Sequence, residues 1–149
     1  MKIYTSSWYT KLPPEVQRIG ISRGTPRGQP AGYRMLSQLA PGPWFNSVSP
    51  EEYHRLFMSQ LAALDPKVIL AKIEELAGGK PSVALLCFEK PNDPAAWCHR
   101  GQVSAWFQDE LKIDIFEFGL ESPGRCGWLH PKLLPVFQKW EGGGVATPD

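Results

Sequence analysis

The sequence predicts a small α/β domain with a largely parallel sheet, Rossmann-like in its layering and flanked by helices. Two observations carry this expectation. Short strand-like runs alternate with stretches whose apolar residues recur three and four apart, and Ser82 to Phe88 is an almost continuous apolar run of strand length. Strands joined through helices need crossovers, and crossovers make parallel neighbours. A run that is apolar on both alternating sides suits a strand covered on both faces.

Lys2 to Thr5 is the first strand, ended by Ser6-Ser7, and Gln17 to Ser22 is the second, ended by Arg23-Gly24. Residues 24–50 then carry nine Gly or Pro. That stretch reads as one long loop, and loops of this length in compact domains tend to carry function. Ser49-Pro50-Glu51-Glu52 is a capping box with proline at the first helical position. Tyr53, Leu56, Phe57, Leu61 and Leu64 give that helix its apolar face, while His54 falls on the polar side and is expected in solvent. Asp65-Pro66 starts a second helix by the same chemistry, with Val68, Ile69, Ile73 and Leu76 as its buried stripe and Gly78-Gly79 as its stop. After the Ser82–Phe88 strand comes a proline-containing loop, Glu89 to Trp97. A third helix follows from about Cys98 to Leu111, with Val103, Trp106, Phe107 and Leu111 on one face. Ile113 to Phe118 is a fourth strand, and Pro131 to Trp140 reads as a short closing helix. The single domain spans residues 1–140, and residues 141–149, with three consecutive glycines, form a flexible tail.

Composition narrows the function classes. A chain of 149 residues with 42% apolar and 21% charged residues can build a core without a staple. Sixteen basic and fifteen acidic residues leave a net charge of +1, which excludes a polybasic nucleic-acid arm but not a local basic pocket. No apolar run reaches the length of a membrane span, and the N-terminus has no secretion-type apolar core. Cys87, Cys98 and Cys126 are odd in number and irregular in spacing, so reduced thiols and a cytoplasmic setting are expected.

Open parallel sheets bind ligands beyond the carboxyl ends of their strands. The residues that fall there are Ser6, Ser7, Trp8 and Tyr9, then Ser22, Arg23 and Gly24, then Glu89 and Lys90, and the helix start Cys98-His99-Arg100. A helix start offers unpaired N–H groups and a positive dipole end, and Arg100 adds a planar fork for phosphate or carboxylate. Arg100 is otherwise expected in an internal pair with Glu89. Cys98 is either a thiol of lowered pKa or a small packing residue. His99 is either an acid–base group or a structural hydrogen-bond donor. In Ser22-Arg23-Gly24-Thr25-Pro26-Arg27-Gly28 the glycines admit close approach and the arginines supply charge, although neither a Walker loop nor a dinucleotide fingerprint is present. Trp8, Tyr9, Tyr33, Trp44, Phe45 and Trp97 offer rings either for stacking a base or for a satellite apolar cluster. A zinc site from Cys98, His99, Cys126 and His130 is disfavoured, because adjacent Cys98 and His99 chelate poorly and no Cys-x-x-Cys exists. No metal and no cofactor are expected.

The strand followed by Glu89-Lys90, with Cys98-His99-Arg100 opening a helix, resembles the uncharacterised domain of unknown function family 488. The openings Tyr4-Thr5-Ser6-Ser7 and Ile21-Ser22-Arg23-Gly24-Thr25-Pro26 are similar to the family's first and second strand ends, and the resemblance spans roughly residues 2 to 119. This chain has Ile21-Ser22-Arg23 where the family more commonly has Asp-Val-Arg. The resemblance implies a compact α/β domain with a pocket and carries no activity with it.

Three functions fit the residues. The first is binding of a nucleotide or other phosphorylated small molecule at the strand ends, for sensing or sequestration. The second is an enzyme acting on a nucleotide or nucleic-acid base, for instance by glycosidic cleavage or transfer, with Glu89 as the carboxylate and Cys98 or His99 assisting. The third is a nucleic-acid-binding accessory protein using Arg23, Arg27, Arg34 and Lys90. The binding reading is preferred, because positive and small groups outnumber catalytic pairs. A homo-oligomer is compatible with the aromatic C-terminal region.

Overall fold

The computed structural model describes residues 1–88 and 99–119. They form a small α/β domain, Rossmann-like as expected, around a five-stranded sheet. The strands are β1 (Lys2–Ser7), β2 (Val16–Gly20), β3 (Arg34–Met35), β4 (Ser82–Cys87) and β5 (Phe116–Glu117). The helices are α1 (Pro50–Ala62), α2 (Pro66–Ala77) and α3 (Arg100–Leu111). The strand order is β3-β2-β4-β1-β5, and every pairing is parallel. The central strand β4 lies in register between β1 and β2, with Ile3 opposite Val83 and Ile19 opposite Leu85.

The order dictates which face each connection crosses. Parallel crossovers are right-handed. From β1 to β2 to β3 the chain moves one way across the sheet, whereas from β3 to β4 to β5 it moves back. The two directions must therefore use opposite faces. On the near face Ile3, Ile19, Val83 and Leu85 pack with Phe57 and Leu61 of α1, Ile69 and Ile73 of α2, and Val103, Trp106 and Phe107 of α3. On the far face Val16, Ala84 and Leu86 pack with Trp8, Leu12 and Tyr33, which belong to the two loops that run with β1→β2→β3. All three described helices thus share one face.

Local chemistry set the helix starts. The Ser49 hydroxyl accepts from the Glu52 N–H, and Asp65 accepts from the Lys67 N–H, with Pro50 and Pro66 in the first turns. Only half of the capping box closes, since the Glu52 carboxylate bonds Arg55 instead. Gly78, at φ 61°, ends α2 in the left-handed region that glycine tolerates.

Several expectations need correction. Val68 is 59% exposed, and the buried stripe of α2 is Ile69, Ile73 and Ala77. His54 is buried, because α1 also packs against α3 and the Gln102 amide donates to its carbonyl. The long loop holds β3 and a single 3-10 turn, Ser37–Leu39. Arg18 pins part of it by donating to Gln29 and to the Pro30 carbonyl. Cys87 is disulfide-bonded, against the expectation of reduced thiols, and its partner lies outside the described residues. The expected helix at Pro131–Trp140 and the tail at 141–149 also lie outside them. No helix among the described residues is long and apolar enough to cross a membrane.

Candidate functional site

The carboxyl edge of the sheet gathers the ends of β1, β4 and β2, three adjacent strands, as the order requires. Each end turns in its own way. Past β1, the Ser7 hydroxyl accepts from the Tyr9 N–H at 2.9 Å and the Trp8 N–H donates to the Cys87 carbonyl. That turn sends Trp8 down over the far face and leaves Tyr9 outside. Past β2, the Ser22 hydroxyl accepts from the Trp8 indole N–H at 2.9 Å and donates to the Gly24 carbonyl at 2.6 Å. The indole lies where a Cβ on Gly20 would be, so β2 needs glycine there.

The serines Ser6, Ser7 and Ser22 are buried, and the hydroxyls of Ser7 and Ser22 are engaged within the edge rather than facing out of it. Gly24 is exposed. Arg23 is exposed as well; it donates to the Pro41 carbonyl at 3.1 Å, and its guanidinium sits 5.5 Å from the Phe45 ring centre. Tyr9 is 52% and Phe88 36% exposed, and their rings meet edge to face at 6.4 Å. These two rings stand at the ends of neighbouring strands and form an aromatic step on the edge. Trp8 takes no part in it, being buried against Tyr33 at 5.3 Å.

Arg100 lies elsewhere. It is wholly buried on the near face and forms a two-pronged pair with Glu117: Nε to Oε1 and Nη2 to Oε2, both 2.9 Å. The Thr5 hydroxyl donates to the same carboxylate at 2.8 Å, and Arg100 Nη1 donates to the Cys87 sulfur at 3.2 Å. A planar guanidinium matches a carboxylate in this fork, so the charge is answered inside the protein. Arg100 has an internal carboxylate partner in Glu117, while Glu89, the partner expected, lies outside the described residues. Arg23 and Arg100 therefore do not share one electropositive hollow: one faces solvent at the end of β2, and the other ties α3 to β1, β4 and β5.

His99 is equally committed. Its Nε2–H donates to the Ile21 carbonyl at 2.6 Å. Burial pushes its pKa down to about 4; hydrogen bonds to the Ile21 and Leu39 backbone pull upward, and the nearby Arg100 charge pushes down. The ring is neutral at neutral pH and joins the exit of β2 to the start of α3. Glu89, Lys90 and Cys98 lie outside the described residues, as does Trp97.

Two residues escaped the sequence reading. Glu117 belongs to the alternation Ile113-x-Ile115-x-Glu117, which places a carboxylate on a face otherwise apolar. An inward carboxylate demands a cation, and that demand was readable. Phe88 reads in the sequence as the end of an apolar strand, although the last side chain of a strand projects beyond the sheet. Among the described residues no group of three or more metal-ligating side chains assembles. The chain matches no family model, no curated protein and no solved structure in the three comparisons made.

Proposed function

We propose that the carboxyl edge of the sheet binds a nucleotide or a related phosphorylated small molecule, for sensing or sequestration. The observation that carries this reading is the exposed Tyr9–Phe88 pair at the ends of adjacent parallel strands. Exposed rings of this kind stack a base without regard to its hydrogen-bonding edge. Arg23, exposed beside Phe45 on the next strand end, supplies the charge for a phosphate. The internal commitment of His99 takes a group from the enzymatic reading, and that of Arg100 takes one from the binding reading, which keeps its ring pair and Arg23. The cytoplasmic setting expected from the sequence goes with this proposal, and the disulfide at Cys87 pulls against it, since such bonds are rare in the cytosol.

The test is calorimetric titration with ribonucleoside triphosphates, the matching nucleosides and inorganic phosphate. Tyr9→Ala is expected to weaken nucleotide and nucleoside alike by roughly 5- to 150-fold, the value of one stacked base. Arg23→Ala should weaken the nucleotide and spare the nucleoside. Absence of any heat up to millimolar nucleotide sinks the proposal. Tight binding of a single-stranded oligonucleotide with no affinity for free nucleotide would replace it with the nucleic-acid reading.

A further inference from the structure

Cys87 closes the central strand β4, alternating onto the near face with Val83 and Leu85, and is 2% exposed. It is disulfide-bonded, and the chain's other cysteines, Cys98 and Cys126, lie outside the described residues. A permanent cation stands against its sulfur. Arg100 Nη1 donates to Cys87 Sγ at 3.2 Å, and a guanidinium does not lose its charge. The same group spends Nε and Nη2 on Glu117, which is held in turn by the Thr5 hydroxyl. That fork fixes the plane of the guanidinium and with it the aim of Nη1. The sulfur of a closed disulfide is a neutral, weak acceptor. The thiolate left by reduction is charged, and its hydrogen bond to Arg100 is charge-assisted and stronger. The contact therefore favours the open state over the closed one. The Glu117 carboxylate opposes this, but it lies at the opposite edge of the guanidinium, whereas Nη1 touches the sulfur directly.

We propose that the disulfide at Cys87 is a redox-active bond, opened by a small thiol such as glutathione, with Cys87 as the leaving sulfur. A sulfur so deeply buried is closed to an incoming thiolate, so the attack falls on the other sulfur of the bond. The first small thiol, as its thiolate, bonds to that sulfur; the S–S bond breaks, and its electron pair stays on Cys87 against Arg100. A second, also as its thiolate, bonds to the first and frees the partner cysteine. The two small thiols leave as one disulfide, having given two electrons to the protein; one of their protons goes to the partner sulfur and the other to solvent. Disulfides of cytosolic proteins are mostly of this transient kind. The inference does not depend on the nucleotide reading. It is tested on the full chain in glutathione buffers of rising reduced-to-oxidised ratio, with far-UV circular dichroism for the fold, then acid quench, alkylation in denaturant and peptide mass analysis. Alkylation of Cys87 from chains still folded is expected. Structural disulfides resist glutathione, so a Cys87 that opens only once the chain has unfolded overturns the proposal, as does a free Cys87 in protein purified without reductant. Arg100→Met with Glu117→Leu isolates the guanidinium: the equilibrium constant for reduction should fall roughly ten- to 150-fold, the worth of a hydrogen bond to a charged group. An unchanged constant overturns the proposal. Should the double variant fail to fold, the glutathione series on the unaltered chain decides alone.

Discussion

Removing one half of the Arg100–Glu117 pair leaves the other half charged and out of water. Such a loss costs about 3–5 kcal/mol, whereas replacing both halves with apolar residues is often neutral. Arg100→Met is therefore expected to lower unfolding stability by about that amount, and Arg100→Met with Glu117→Leu to recover most of it in the same urea titration. A double variant as unstable as the single one would show that the contacts of Arg100 with Cys87 matter more than its charge. Gly20 makes a steric case of the same kind. A Cβ there would sit 2.4 Å from the Trp8 ring and 2.6 Å from the Met35 sulfur, while at Gly24 it would meet nothing within 4 Å. Gly20→Ala should cost about 1–3 kcal/mol by overpacking, with Gly24→Ala near neutral, both read from unfolding midpoints. At this scale the sequence told residue types and not partners. It predicts an internal pair for Arg100, yet Glu117 lies seventeen positions away on β5, so the pairing depends on the order of strands.

Elements were the most legible level, because caps and periodicity are local. Ser49-Pro50 and Asp65-Pro66 mark the starts of α1 and α2, and Gly78 marks the end of α2. Loss of either cap, by Ser49→Ala or Asp65→Ala, is expected to cost about 0.5–2 kcal/mol. Chemical unfolding checks this, and an effect below the lower bound in both would mean that the tertiary packing of the helices makes the caps redundant. What the pattern missed came from neighbours. The spacing in α3 predicts one apolar face, but the helix lies against the sheet, α1 and α2, so Arg100, Gln102 and Ser104 are buried along with its apolar residues. The position of His54 on α1 alone predicts exposure to solvent, whereas packing against α3 leaves it buried. The two-residue strand β3 carries too little alternation to register as a strand.

For the whole molecule, the order β3-β2-β4-β1-β5 was not written in any one segment, although the parallel α/β class was. That order brings His99 under Ile21, and with it a pH dependence. The native pKa of His99 is about 4, below the ordinary 6.5, so between these values the unfolded chain holds a proton that the native chain does not. Stability is complete above about pH 6.5 and falls as pH drops toward 4, by on the order of 3 kcal/mol. Burial lowers His54 in the same direction. His99→Gln, which keeps a donor for the Ile21 carbonyl, should flatten most of the fall between pH 7 and pH 4.5 in urea titrations. An unchanged slope would assign the acid sensitivity to other groups.

The sheet's rims have a consequence of their own. Among the described residues each outer strand, β3 and β5, pairs over two residues only. A stray extended peptide needs a long row of open amide and carbonyl groups to latch on, and short rims deny it that row. Lengthening either rim by a few β-branched residues would hand neighbouring molecules such a template, and fibre growth, rather than loss of fold, would be the first symptom.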